Sequence, residues 1–358
     1  MPSRRRFLAS IGTAASIGLA GCMGGVRKYF ENDTRVEGAC DDSSGTWPTA
    51  GGDSGRTGHT NSAPPGPDAG AVDLLAGFRE DGSQEFAAAL PAVVDGTAYV
   101  PVTSGLIAVD LESPSDQPHW KYDLDDQVEA VPLSTCGVAL APGINRLDAI
   151  DQATGERYWR VSAGSRGATS VASRDETLFV AGTSLIALDV RTGDRLWSVD
   201  GGDMLALGDA GVYSTKNANG TGDIYAHDFD GEQLWHLSLG KIVGSASVQD
   251  GTVWVADNRG TVYAIDAWSG ETFWSRSLND VKKIYSGLAV HGEDVVVPAG
   301  MGDTSFVLDA ETGETRWKTN TGFVTGRPII GDDWVALGRT NTGITLYDRE
   351  TGEQRTTW

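Results

Sequence analysis

Seven aspartates recur along the chain at nearly even intervals. Asp110, Asp151, Asp189, Asp228, Asp266, Asp309 and Asp348 lie 41, 38, 39, 38, 43 and 39 residues apart. A loop carboxylate can ligate calcium or accept backbone N–H groups in a turn. Here the glycines Gly155, Gly193, Gly231, Gly270, Gly313 and Gly352 follow closely. Seven copies, each at its own turn, argue for turn capping over seven metal sites. The other metal-capable residues are sparse. His59, His119, His227, His236 and His291 show no ligand spacing, so no metal site is expected. The three cysteines, Cys22, Cys40 and Cys136, contain no Cys-x-x-Cys pair. In an oxidising exterior Cys40 and Cys136 either pair or remain two separate thiols. No residue claims a catalytic role. Arg327, beside Pro328, is the one charged residue near the small-residue stretches Ala168–Val171, Ala246–Val248 and Gly287–Val290 that merits inspection.

The N-terminus carries an address. Arg4 and Arg5 stand in Ser3-Arg4-Arg5-Arg6-Phe7-Leu8, followed by an apolar, small-residue run to Ala20. A charged start, a short apolar run and small residues describe an export signal. The run is too short to span a bilayer, which needs roughly 20 residues. The string resembles a twin-arginine export signal. Leu19-Ala20-Gly21-Cys22 resembles a lipobox, which implies cleavage before Cys22 and its lipidation. The expected organisation is a signal over 1–21 and a polar, lipid-anchored tether over 22–46. An N-terminal extension with a ring-closing strand covers 47–85, and repeats cover 86–358. The chain is thus expected at the outer face of the cell membrane. Asn32 and Asn219 head Asn-x-Thr triplets and are candidate glycosylation acceptors.

The repeat organises everything else. Ala149-Ile150-Asp151 is followed by Thr154-Gly155-Glu156 and Trp159. Asp189 with Trp197, Asp266 with Trp274 and Asp309 with Trp317 keep the same eight-residue step. Asp228 reaches Trp235 one residue early, and Asp110 reaches Trp120 through a longer loop with prolines. After Asp348, Thr356 stands where a tryptophan is due. Between motifs lie short apolar or alternating runs, such as 128–133, 138–142 and 146–151, or 246–249, 252–257, 261–266 and 272–277. Four strands per repeat of about 39 residues is the pattern of a propeller blade. The expected fold is all-β, a propeller of seven four-stranded blades, with eight as the alternative count. The 47 glycines suit its many turns. Trp on the fourth strand is placed to pack on the neighbouring blade while its indole N–H reaches a backbone acceptor. Val72–Arg79 offers a strand to complete the last blade.

The Ala-x-Asp-x-x-Thr-Gly-x-x-x-Trp unit resembles the tryptophan-docking repeat of quinoprotein-like, pyrroloquinoline-quinone-type propellers. The resemblance covers roughly 86–358. Trp47-Pro48, Gly51-Gly52-Asp53 and Arg56-Thr57-Gly58 look like the opening segment of such propellers. For enzymes of this kind the resemblance implies a quinone in the channel, a calcium ion, a catalytic carboxylate and, in many members, adjacent cysteines. This chain has no Cys-Cys pair. It also resembles the propeller lipoprotein of the bacterial outer-membrane barrel-assembly machine, an interaction platform.

Charge narrows the partners. The net charge is −21, and only seven residues are lysine. Such a field repels nucleic acid and anionic lipid head groups. It suits a protein working in concentrated salt, where the Debye length falls to ~3 Å at 1 M, so a haloarchaeal source is expected. An archaeal cell lacks an outer membrane of the bacterial kind, so the specific assembly role is not transferred. The expected function is a non-catalytic scaffold for a protein or small ligand, without cofactor. The alternative is a quinone-dependent dehydrogenase using pyrroloquinoline quinone and calcium.

Overall fold

The computed structural model describes residues 52–53, 55–61, 90–111, 118–124, 131–163, 167–281, 283–300, 304–324, 326–339 and 343–357. Arg4, Arg5, Cys22, Asn32, Cys40 and the segment 72–79 lie outside them. The described residues form no helix; they form seven four-stranded antiparallel sheets. The sheets, taken as blades one to seven, span 92–123, 133–162, 170–200, 204–240, 247–277, 289–320 and 329–357. In every blade the strands pair in chain order. The first strand of each blade touches the first strand of the next from blade one to blade seven, so first strands line the axis. This is a seven-bladed propeller.

Burial follows from that placement. Second strands lie between two blades and are covered on both faces, so they read as continuous apolar runs; Val138–Pro142 is buried throughout. Outermost strands face water; Thr272–Ser277 is mostly exposed. The first strands depart from the sequence expectation: that of blade five starts one residue into the expected run 246–249, and that of blade two meets the expected run 128–133 only at Leu133, with 128–130 outside the described residues. The innermost strand of blade five is Ser247–Gln249 and that of blade two is Leu133–Thr135. Blade seven supplies four strands of its own, ending with Gln354–Thr357. Among the described residues, no blade borrows a strand from the N-terminal part.

Blades one to six are each joined to the next by a tryptophan. Trp120, Trp159, Trp197, Trp235, Trp274 and Trp317 donate Nε1–H to Gln152, Val190, Phe229, Ala267, Ala310 and Arg349 carbonyls, at 2.7 to 3.0 Å. Each acceptor directly follows the repeat aspartate of the next blade. The ring lies on that blade's repeat glycine. At Gly193, with φ +71°, an added Cβ would come within 2.9 Å of the Trp159 ring. The glycine therefore meets two demands, a left-handed backbone and a flat floor for the indole. The aspartate shapes the same turn: Asp151 Oδ1 accepts the N–H of Ala153 at 2.8 Å and of Thr154 at 2.7 Å. The register of the third and fourth strands slips one residue beyond the tryptophan, as between Ala149 and Ile150. That bulge sharpens the local twist. Six apolar clusters each join two consecutive blades, from one–two to six–seven. At the seventh seam the apolar residues form two separate clusters among the described residues, one in blade one and one in blade seven.

Candidate functional site

The axis of the ring is lined by the first strands, and an N-terminal peptide packs against them there. Residues 55–60 run along the innermost strands of blades five, six and seven. Gly55, Thr57 and Gly58 carbonyls accept the N–H groups of Val248, Val290 and Ile330 at 2.8, 2.6 and 2.9 Å. Thr60 N–H returns a bond to Ile330 O at 3.0 Å, and His59 pairs with Ile330 in parallel. The approach is so close that side chains are excluded at two positions. A Cβ on Gly55 would lie 2.5 Å from Val248 O, and one on Gly58 would lie 2.8 Å from Ala289 Cβ. Asp53 sets the entry: its carboxylate accepts the Thr57 N–H at 2.9 Å and the Thr57 hydroxyl.

Arg56 crosses the axis from this peptide. Its Nε donates to Leu205 O at 3.2 Å, and its Nη2 donates to Val171 O at 2.5 Å and Ser170 Oγ at 3.1 Å. These partners belong to blades three and four. Arg327 reaches the same place from the start of blade seven. It donates Nη1–H to Arg56 O and Nη2–H to Ser245 Oγ at 2.8 Å. Ser247 Oγ also donates to Arg56 O, at 2.9 Å. Arg56 is 3% exposed. Burial pushes its pKa down, and the neighbouring Arg327 charge pushes the same way, while Asp53 opposes them. Burial lowers Arg327 too, again opposed by Asp53. Two guanidiniums with one nearby carboxylate are held by carbonyls and hydroxyls that accept their N–H groups. Beside the peptide a cleft of about 240 Å³ opens between Asp53, Thr57, Asp209 and Gln249. Small-molecule pockets usually offer ~300–1,000 Å³.

A second cluster sits where the peptide leaves the axis. His59, His291 and Asp332 place one potential ligand atom each within 4.8 Å of the others. The imidazoles stack at 3.4 Å with planes 4° apart. Burial lowers the His291 pKa, followed by the fields of His59 and Arg349.

The repeat residues are not brought into the axial site. Asp151, Asp189, Asp228, Asp266, Asp309 and Asp348 cap turns beneath the tryptophans, and Asp110 ends the third strand of blade one. Asn219 lies exposed in a hairpin turn with φ +53°. Cys136 is disulfide-bonded; Cys40 lies outside the described residues. Arg327, singled out from sequence, lies at the axis. Arg56 and the His59–His291 pair were missed. The available signal was the glycine density around Arg56, at Gly51, Gly52, Gly55 and Gly58.

The family model described as outer membrane protein assembly factor BamB matches residues 56–199, 138–216 and 220–357. Comparison with curated protein sequences gives no match. Among solved structures, BamB from Moraxella catarrhalis superposes with TM-score 0.59 at 16% identity, covering 71% of this chain and 82% of its own. The quinohemoprotein alcohol dehydrogenase from Comamonas testosteroni gives 0.66 at 15% identity, covering 88% and 73%. A europium-containing methanol dehydrogenase gives 0.66 at 13% identity, covering 88% and 86%. At these identities the likeness is one of fold.

Proposed function

Since the chain belongs to the family of the outer membrane protein assembly factor BamB, we propose that it is a non-catalytic propeller tethered by lipid at Cys22, which presents a rigid disc for docking a protein partner. The reading rests on how the axis is filled. A planar quinone needs an open channel with free donors aimed into it. Here the peptide 55–60 occupies the axial end of three blades. The Arg56 and Arg327 guanidiniums aim at Leu205 O, Val171 O, Ser170, Arg56 O and Ser245. The donor set also suits calcium poorly. Calcium takes ~6–8 oxygen ligands, whereas the one three-ligand group among the described residues offers two imidazoles and a carboxylate. The described residues at the axis therefore do not fit a quinone–calcium pair.

The purified full chain, incubated with pyrroloquinoline quinone and calcium, should retain no quinone absorbance and oxidise no alcohol or sugar in a dye-linked assay. Turnover under those conditions overturns the reading. Cross-linking in intact membranes should then capture one protein in defined stoichiometry. An Arg56→Ala chain, with its plug loosened, should capture less of it if the axial face is part of the platform.

A further inference from the structure

We propose that His59, His291 and Asp332 bind one divalent transition-metal ion of the zinc class, which staples the axial peptide to blades six and seven. Two imidazoles and a carboxylate are a zinc-type donor set, with a fourth position left for water. Nitrogen donors favour zinc, nickel, cobalt or copper over calcium or magnesium.

The geometry is close to assembled. In a tetrahedral site with zinc–nitrogen bonds of ~2.0–2.1 Å, ligand atoms stand about 3.3 Å apart. The three candidate atoms already lie within 4.8 Å of one another. His59 Nε2 and Asp332 Oδ1 are 3.7 Å apart, too far for a hydrogen bond and suited to an ion between them. His59 Nε2 is buried without a hydrogen-bond partner. A buried polar atom without a partner is costly, and a bound ion would satisfy it. The imidazoles now stack face to face at 3.4 Å. They need only fan apart, by side-chain rotation, for both lone pairs to converge.

The backbones that carry the ligands are already fixed. Arg349 donates Nη2–H to His291 O at 2.7 Å and Nη1–H to Asp332 O at 3.2 Å. One guanidinium thus sets the spacing of the two turns. Its charge is met by Asp294, with Nε to Oδ2 at 2.7 Å. His59 N–H is held by Thr57 Oγ1 at 3.2 Å, and the residues on either side of His59 bond to Ile330. Fixed backbones leave only side-chain torsions to be ordered when the ion binds, which keeps the entropic cost small. Asp332 is exposed, so the ion enters from solvent.

Zinc chloride is the probe. The untagged full chain in detergent, stripped with a chelator and then freed of it, is titrated calorimetrically and its metal counted by mass spectrometry. One zinc per chain is expected, with a rise in thermal midpoint that chelator reverses. Amide exchange at Gly58 to Thr60 should slow. Cobalt in place of zinc should give the visible absorption of a tetrahedral site. His59→Gln should lose the stoichiometric zinc and the stabilisation while remaining folded. Asp332→Asn, at an exposed position, should weaken binding without changing the unliganded melt. His236→Gln, at another surface histidine, should bind as the parent does. Binding that survives unchanged in both His59→Gln and Asp332→Asn, or the absence of stoichiometric zinc in the parent, overturns the proposal.

Discussion

Trp159 and Gly193 belong to different blades but act as one contact. Trp159 is 4% exposed, so truncation to alanine should cost ~3–5 kcal/mol, as for other buried aromatic residues. Trp159→Phe keeps most of the packing and strands the Val190 carbonyl, which should cost ~1–3 kcal/mol. Gly193→Ala meets a left-handed backbone and the indole floor together. Once the ring is gone, the backbone penalty of ~1 kcal/mol and a tight approach to Val161 Cγ1 at 3.1 Å should remain. A double-mutant cycle in urea melts should therefore be sub-additive; additive losses would show that the ring and the glycine are energetically independent. The turn carboxylates make a second prediction, in acid. Asp348 is held down to about 2 by Arg355 first and then by the Thr351 N–H and hydroxyl. Asp309 is lowered chiefly by Arg316, and Asp266 by the Ser269 N–H. In Asp151 burial pushes upward, but hydrogen bonds from Tyr158 and Thr154 outweigh it. A folded value below the ordinary 3.8 means the unfolded chain binds more protons in between. The stabilisation is full above about pH 4 and is lost as pH falls toward 2. The thermal midpoint should drop across that window; a midpoint unchanged down to pH 2 would remove these turns from the account.

The axial peptide is the element whose role is least local. Short innermost strands leave backbone N–H groups facing the axis, and buried donors without acceptors are costly. Gly55, Thr57 and Gly58 supply acceptors to three blades. Arg56 ties the peptide to two more, through Leu205 and Val171. Arg56→Met leaves the Leu205 and Val171 carbonyls without this donor, at ~1–3 kcal/mol in all. Amide exchange at Val248, Val290 and Ile330 should quicken while the Trp-docked outer strands keep their protection. Uniform quickening would mean that the peptide is not a separate element. The contrast with the blades explains what was legible beforehand. Asp, Gly and Trp of a repeat fall within nine residues, so spacing alone exposes the blade. Arg56 finds Ser170 114 residues away, and Arg327 finds Arg56 O 271 residues away. No local pattern encodes such a meeting. Arg327 stands out in the sequence only as a charge among small inner-strand residues, and the His59–His291 stack has no spacing signal at all.

At the scale of the ring, the seams are unequal. Six carry a docked tryptophan, whereas Thr356 occupies the corresponding place in blade seven. The apolar residues of blades one and seven form separate clusters among the described residues. The seam between these blades is therefore where the closed ring is expected to open first. Charge decides how readily it opens. A chain of net charge −21 repels itself in the compact state. Its exposed ion pairs, such as Arg355 with Asp333 and Lys318 with Asp280, are worth only ~0–1 kcal/mol each. Salt weakens both effects. The Debye length shrinks from ~10 Å at 0.1 M to ~3 Å at 1 M, so repulsion summed over the whole surface loses more than a few contact pairs do. The thermal midpoint should therefore rise steadily from about 0.1 M to about 1 M potassium chloride. At the low end, amide exchange should be fastest in the strands of blades one and seven, which flank the weak seam, and should slow there first as salt is added. A midpoint that falls with salt would mean that the ion pairs outweigh the self-repulsion, and would remove the case for a protein fitted to concentrated salt.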